Sequence, residues 1–320
     1  MKMETKRGDP HKLLLPISVV IPLYNHEEYI GQCLRSIAVA EEQPQEIILV
    51  DNGSTDRSIA VAEALGLPNL VIIRNDRNLG ASRARTIGAR AARHDLICFI
   101  DSDDFLGEAA LAAAYAALRA NDLDYCVFEL MRVSQDGSET WLETPSPRGI
   151  IDGAQAFELT LGVWQIFSMG ILHKRIYLDA VDDFEYHGHA DDELLVRETF
   201  LRAKRIGGTT GRYFYRHVPK PYTTERVIGQ ITTNVAVLEM ASRSRELLST
   251  DAPLRHMRNV VTRDLLGLAL RVLRGSGRSG ELRQLYQQYR RVGVGWAFDD
   301  LPYWLMRMVL AALVRQTKPS

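Results

Sequence analysis

Apolar and polar positions along the first hundred residues follow two periods in turn. Ile17-Ser18-Val19-Val20-Ile21 is a β-branched run closed by Pro22, which predicts a buried strand. Ile30, Cys33, Leu34 and Ile37 then fall at helical spacing and make one apolar stripe. Further strands are predicted at Glu46–Val50, Leu70–Ile73 and Leu96–Ile100, and helices at Asp56–Leu65, Ser82–Arg93 and Gly107–Arg119. Strands and helices alternating over short connections imply an α/β domain with a mostly parallel sheet and helices on both faces. Ligands of such sheets bind outside the carboxyl ends of the strands, so function is expected in the turns after Ile21, Val50, Ile73 and Ile100.

From Tyr125 the pattern is less regular. Tyr125–Val133 reads as a strand, Gln135–Ser138 as a hairpin turn and Thr140–Glu143 as the return strand. A mixed stretch precedes a helix at Asp192–Lys204 and a strand at Thr209–Tyr215, and from Thr224 the chain reads helical, with a break at Gly275–Gly280. The expected organisation is a mobile lead-in (1–15), a main domain (16–222, with halves 16–105 and 106–222) and a C-terminal helical region (223–320). A chain of 320 residues agrees with this at ~150 residues per domain.

Charge changes the picture more than composition does. With 46% hydrophobic and 25% charged residues the chain is ordinarily globular, and a net charge of −1 excludes nucleic-acid binding by bulk charge. That −1 conceals an asymmetry: residues 252–320 carry +8 and the preceding residues −9. Within the basic tail, Leu301, Trp304, Leu305, Met308 and Ala312 form an apolar stripe beside Arg307 and Arg315. Such a helix suits a membrane interface with anionic lipid, or else internal packing or a homo-oligomer contact. The run Leu301–Val314 is short of the ~20 residues that span a bilayer. Residues 1–10 are polar, and no secretory signal is expected there. Cys33, Cys98 and Cys126 are odd in number and sit in apolar surroundings, as reduced buried thiols do. These features predict a soluble or peripheral cytoplasmic protein, at the inner face of the membrane if the tail docks there.

The candidate chemistry follows the strands. After the first come Pro22, Tyr24 and Asn25, where Tyr24 offers a stacking face and Asn25 a helix cap; a plain strand-exit turn explains them equally well. Asp51 ends the second strand, where a carboxylate can read a base N–H or a ribose hydroxyl, while Ser54, Thr55 and Asp56 are adequate caps. Asn78-Leu79-Gly80 leads into a helix carrying Arg85, suited to a diphosphate or to the acidic cluster that follows. That cluster, Asp101-Ser102-Asp103-Asp104, places three carboxylates directly after a buried strand. Like charges so close raise one another's pKa unless a cation intervenes, and hard oxygen donors suit Mg²⁺ or Mn²⁺. Helix capping accounts for one of the three acids only. Asp191-Asp192-Glu193 opens a later helix, where acids are also ordinary caps. His187, His189 and His217 fit no zinc spacing and default to surface histidines.

Taken together, Val19-Val20-Ile21-Pro22-Leu23-Tyr24-Asn25, Ile48 through Asp56, Asn78 through Gly88 and Phe99 through Asp104 resemble the opening of family 2 glycosyltransferases, which have the doubly wound GT-A fold. The resemblance covers residues 17 to about 105, continues weakly through Asp191-Asp192-Glu193 and Tyr215-Arg216, and stops beyond 225. It implies that Pro22, Tyr24 and Asp51 hold the base, with Asn25, Ser54, Asn78, Arg85 and Ser102 completing the nucleotide site. Asp101 would take the ribose or the metal, Asp103 would be the principal ligand of a D-x-D motif for Mn²⁺ or Mg²⁺, and His217 a further metal or phosphate contact. Asp192 would be the general base; Asp191 stands where the family commonly has Glu, and Thr86 where it has Asn. The implied reaction is inverting transfer from a nucleotide-sugar donor, usually a UDP-sugar, to a glycan or lipid-linked acceptor in bacterial surface-polysaccharide synthesis. Trp164 and Phe167 would shape the acceptor side. The alternative is a non-catalytic nucleotide-sugar-binding or scaffold protein of the same fold. A nucleotidyltransferase is disfavoured, since Pro22–Glu28 contains no glycine for a triphosphate loop.

Overall fold

The structure, a computed structural model, describes residues 13–134, 140–162, 164–184, 191–217, 223–273 and 279–293, with 311 and 314. The lead-in before residue 13, the turn at Gln135–Ser138, His187, His189 and the tail stripe from Leu301 lie outside these, apart from 311 and 314.

The amino-terminal half alternates as its periodicity requires: β1 (Leu13–Leu23), α1 (Ile30–Ala38), β2 (Glu42–Asp51), α2 (Ser58–Ala64), β3 (Leu70–Arg74), α3 (Ala81–Ala91) and β4 (Leu96–Phe99). β1 pairs in parallel with β2 and β4, and β2 with β3. Pro22 does not end the first strand but lies within it, opposite Val50. Its missing N–H leaves no gap in the ladder, because the β4 pairing stops at Val20.

Alternate residues of β1 serve two helical layers. Val19 and Ile21 belong to the core that includes Ile30, Cys33, Leu34 and Ile37 of α1. Val20 faces the other way: a Cβ added at Gly88 of α3 would overlap Val20 Cγ1. The small residue brings α3 close to the sheet, and helices therefore cover both faces.

The chain continues with β5 (Phe105–Leu106), α4 (Ala110–Ala120), β6 (Tyr125–Val133), β7 (Thr140–Thr144), α5 (Gly153–Leu159), β8 (Gly170–His173), α6 (Lys174–Asp182), α7 (Asp191–Arg202) and β9 (Ile206–Arg216). The sheet order is β3-β2-β1-β4-β8-β6-β9-β5, with β7 added on β6. β6 and β9 are parallel, whereas β8 runs antiparallel to β4 and β6 and joins the two parallel blocks. β5 and β8 carry too few residues to show a period. β8 also starts at a glycine, which reads as a breaker; here a Cβ on Gly170 would strike the Cys126 carbonyl of β6.

Two compact units are present. The first comprises residues 1–156, 165–185 and 198–218; the second comprises 157–164, 186–197 and 219–320. The second contains α8 (Thr224–Arg243), α9 (Ala252–Leu273) and α10 (Ser279–Gly293), with Ile231, Leu238, Val261, Leu265, Leu268, Leu282 and Tyr289 buried. Thr262 Oγ1 and the Tyr289 hydroxyl share a hydrogen bond of 2.6 Å there. Cys33, Cys98 and Cys126 are free and buried, and burial pushes the Cys126 thiol up to about 12. Among the described residues no helix is long and apolar enough to cross a membrane.

Candidate functional site

The carboxyl ends of β1, β2 and β4 carry three loops that hold one another. Asn25 has φ 52°, a left-handed conformation that Asn tolerates better than most residues. It does not cap α1, whose N-cap position is Tyr29 without a side-chain bond. Instead Asn25 Oδ1 accepts the Thr55 N–H at 2.8 Å and its own N–H donates to Ser54 Oγ at 3.1 Å, joining the first loop to the second. Asp51 is buried and accepts the Ser54 N–H at 2.9 Å. Asp56 accepts N–H groups from Ser58 and Glu27, each at 3.0 Å. Burial pushes the Asp56 carboxyl up, and these donors outweigh it and hold it below its ordinary value. Tyr24 leaves 42% of its surface exposed, a ring open for stacking.

Asn52, which sequence reasoning passed over, is the hub of this end. Its Nδ2 donates to Asn78 Oδ1 at 3.0 Å and to the Gly80 carbonyl at 3.2 Å; its Oδ1 accepts from Asn75 Nδ2 at 3.0 Å and from the Leu79 N–H at 3.2 Å. Asn78 also accepts the Gly80 N–H at 2.8 Å, fixing the turn into α3. The neighbouring Gly53 has φ 80°, and a Cβ there would stand 2.9 Å from Arg77 Cα.

The acidic loop after β4 is braced from behind. Arg85 reaches Asp101 Oδ1 at 2.5 Å, so its partner is the acidic cluster. Ser102 is buried with its hydroxyl 2.8 Å from His26 Nδ1. Asp104, 2% exposed, accepts the Tyr213 hydroxyl at 2.8 Å and the Arg216 N–H at 2.8 Å. Arg216 Nε donates to the Asp103 carbonyl at 3.1 Å and its NH2 to Gln32 Oε1 at 2.6 Å. Burial first, then the Asp101 and Asp103 carboxylates, push Asp104 up to about 8, against the two donors that lower it. Tyr213 and Arg216 were beyond local inspection, since each lies more than a hundred residues from the acid it holds.

Asp104 is thus committed to structure, and the acids of this loop that could hold a cation are Asp103 and Asp101, the latter shared with Arg85. Mg²⁺ is commonly held by one or two carboxylates plus water and substrate phosphates, so two such acids suit Mn²⁺ or Mg²⁺ without a protein cage. Among the described residues no three His, Cys, Asp or Glu side chains gather as a closed metal site. His217 is exposed, and its Nδ1 lies 2.8 Å from Arg132 NH1. A guanidinium only donates, so Nδ1 accepts and Nε2 carries the proton. In this arrangement His217 offers an N–H, not a lone pair.

In the second unit Asp191 and Asp192 open α7, Asp191 buried and Asp192 exposed. Asp192 Oδ1 accepts the Glu193 N–H at 3.0 Å. The Arg197 guanidinium lies 4.4 Å from the Trp164 ring centroid. In the first unit Phe167 meets Tyr213 edge to face, with centroids 5.1 Å apart, against the core. Packing accounts for Phe167, which was expected on the acceptor side.

The model of glycosyl transferase family 2 matches residues 18–177, from β1 to α6 and half of the chain. The chain belongs to that family. Two further family-related proteins extend the comparison. A poly(ribitol-phosphate) beta-glucosyltransferase of Bacillus spizizenii is 28% identical over 211 residues, covering 63% of this chain and 32% of the relative. The glycosyltransferase EpsJ of Bacillus subtilis is 28% identical over 218 residues, covering 65% of this chain and 62% of its own. This chain therefore spans from about a third to somewhat under two thirds of these relatives' lengths. Among solved structures, Staphylococcus aureus TarS 1-349 in complex with UDP-GlcNAc superposes with a TM-score of 0.64 at 19% identity, covering 93% of this chain and 88% of that one. That likeness establishes the fold, in agreement with the GT-A expectation. The family match ends before α7 and β9, leaving Asp191, Asp192, Tyr213 and Arg216 outside it.

Proposed function

We propose that the chain transfers a sugar, with inversion, from a UDP-sugar to an acceptor hydroxyl in the synthesis of a bacterial surface glycan. The observation that carries this is the convergence, at the carboxyl ends of β1, β2 and β4, of an exposed Tyr24, a buried Asp51 and the braced loop Asp101–Asp104. The relative named for poly(ribitol-phosphate) glucosyl transfer and the UDP-GlcNAc-bound TarS support the donor and acceptor classes.

Tyr24 would stack on the base and Asp51 accept from it, within the frame set by Pro22, Asn25, Ser54 and Asn78. Asp101, oriented by Arg85, would meet the ribose side, with Ser102 fixed beneath it by His26. A Mn²⁺ or Mg²⁺ ion held by Asp103 and Asp101 would offset the charge growing on the leaving diphosphate. Asp192, the exposed acid of the α7 pair, would take the proton of the acceptor hydroxyl as its oxygen attacks the anomeric carbon. The +8 charge of residues 252–320 supports docking beside a lipid-linked acceptor at an anionic membrane surface.

The test is calorimetry of the full chain with UDP, with and without Mn²⁺, followed by hydrolysis and transfer assays over a panel of UDP-sugars. Saturable UDP binding and turnover of one donor are expected. UDP binding without turnover of any donor would overturn the catalytic reading, and the absence of nucleotide binding would overturn the site itself.

A further inference from the structure

On the far side of the sheet from β3, three strands place a row of flat side chains on one face. Trp141 of β7 is in register with Arg132 of β6, and Arg132 with Tyr215 of β9. Residues paired in register point the same way, so the three share a face. The Arg132 guanidinium lies 5.6 Å from the Tyr215 ring centroid. Glu143 of β7 and His217, which follows β9, reach the same guanidinium. Arg132 donates through Nε and NH2 to the two oxygens of Glu143, and through NH1 to His217 Nδ1 at 2.8 Å. All three branches of the guanidinium are therefore engaged, and the plane is fixed before any ligand arrives.

Trp141 is nonetheless 44% exposed and Tyr215 39%. A tryptophan left open on the outermost strand of a hairpin, beside a neutralised ion pair, contributes little to packing and invites a partner. The charges cancel between Arg132 and Glu143, so the row does not call for an anion. It presents two aromatic faces, a carboxylate oxygen, a phenol and an imidazole Nε2–H. A hexopyranose complements these: its C–H face is weakly apolar with slightly positive hydrogens, which suits the negative face of an aromatic ring, and its rim of hydroxyls both donates and accepts.

The row also runs into the candidate site. Tyr215 precedes Arg216, whose N–H and Nε hold Asp104 and Asp103. Partial burial, then the carboxylates of Asp104, Asp103 and Asp101, push the Tyr215 phenol up, so the ring stands within electrostatic reach of the acidic loop.

We infer that Trp141, Arg132 and Tyr215, with Glu143 and His217, form a subsite for an uncharged hexopyranose unit of the acceptor glycan. The inference rests on the transfer reading above, and it names a surface that the expected acceptor residues Trp164 and Phe167 do not include.

The experiment uses the full chain and chitotriose and cellotriose as probes, with saturation-transfer NMR reading which ring protons approach the protein. Saturation of pyranose ring protons is expected in the wild type. Trp141→Ala should weaken binding of the responding probe by about fivefold, as loss of one aromatic contact implies, and Trp141→Phe should restore most of it. Circular dichroism checks that each variant is folded; Trp141 is exposed on an edge strand, so its removal leaves the core intact. Binding of neither probe to the wild type, or equal binding by wild type and Trp141→Ala, would overturn the subsite. The UDP titration of the wild-type chain reports separately on the donor reading, and the two can fail independently.

Discussion

The Tyr213 hydroxyl stands between two parts of the acidic loop, donating to Asp104 Oδ2 at 2.8 Å while accepting the Asp101 N–H at 3.0 Å. One buried phenol thereby fixes both ends of the segment proposed to face the donor. Tyr213→Phe removes it with no change in ring volume and leaves a buried carboxylate short of a donor. Stability should fall by about 1–3 kcal/mol in urea titrations, and UDP affinity should fall with it. Unchanged values for both would show that the brace is dispensable.

Arg85 and Asp101 should behave as a unit. Their side chains are 13% and 26% exposed, so their attraction is only partly screened by solvent. Arg85→Ala leaves Asp101 beside Asp103 and Asp104 without its cation, and destabilisation is expected. Adding Asp101→Asn should recover part of the loss, giving a coupling of about 1–3 kcal/mol in a double-mutant cycle. Additive effects would mean that the pair does not interact in solution.

A pH dependence is expected from a residue away from the site. Glu46 lies inside the sheet and accepts from Ser18 Oγ at 2.6 Å, from the Arg93 N–H at 2.9 Å and from Arg93 Nε at 2.8 Å. Burial pushes its carboxyl up from the ordinary 4.5, but these donors outweigh it and hold it below that value. A carboxyl lowered by folding contributes stability that is full above its unfolded pKa and disappears as pH falls through the folded one. Glu46→Gln should therefore be less stable than the wild type at pH 7, with the gap closing as pH falls below the ordinary 4.5 and through the lowered folded value. Melting temperatures measured from pH 3 to 7 check this, and a constant gap would contradict it.

The chemical roles separate by readout. Asp192→Ala should lower kcat by about 10²–10⁴-fold, the range of a lost general base, while UDP titrations stay as in the wild type. Asp103→Ala should instead abolish any dependence of UDP affinity on Mn²⁺. Near-normal turnover by Asp192→Ala would remove it as the base.

The strands β1, β2 and β4 are legible because each is buried on two faces and carries a continuous apolar run, as Val19, Val20 and Ile21 do; β3, half exposed, keeps the run Leu70–Ile73. Their ends locate the site for the same reason: Asp51 and Asp101 interrupt the run where the sheet stops. Asn25 was misread as a cap because local spacing cannot see Ser54 and Thr55 approaching from the next loop. Asn52 was passed over because nothing local marks it, although four hydrogen bonds converge on its side chain. The braces on the acidic loop were illegible on principle. Arg216 reaches Asp103 across 113 residues, and the antiparallel pairing of β5 with β9, Phe105 opposite Phe214, brings them together.

The late position of β9 has a consequence for how the protein comes into being. During synthesis the four acidic-loop residues leave the ribosome with the first parallel strands, but the phenol and amide that satisfy Asp104 follow more than a hundred residues later. Until then a carboxylate destined for burial has no partner in the nascent chain, and the loop stays open to water. The stretch that the family model matches, ending at residue 177, lacks Tyr213 and Arg216, so cut free it would keep the acidic loop without the hydrogen-bond donors that Asp104 takes from β9.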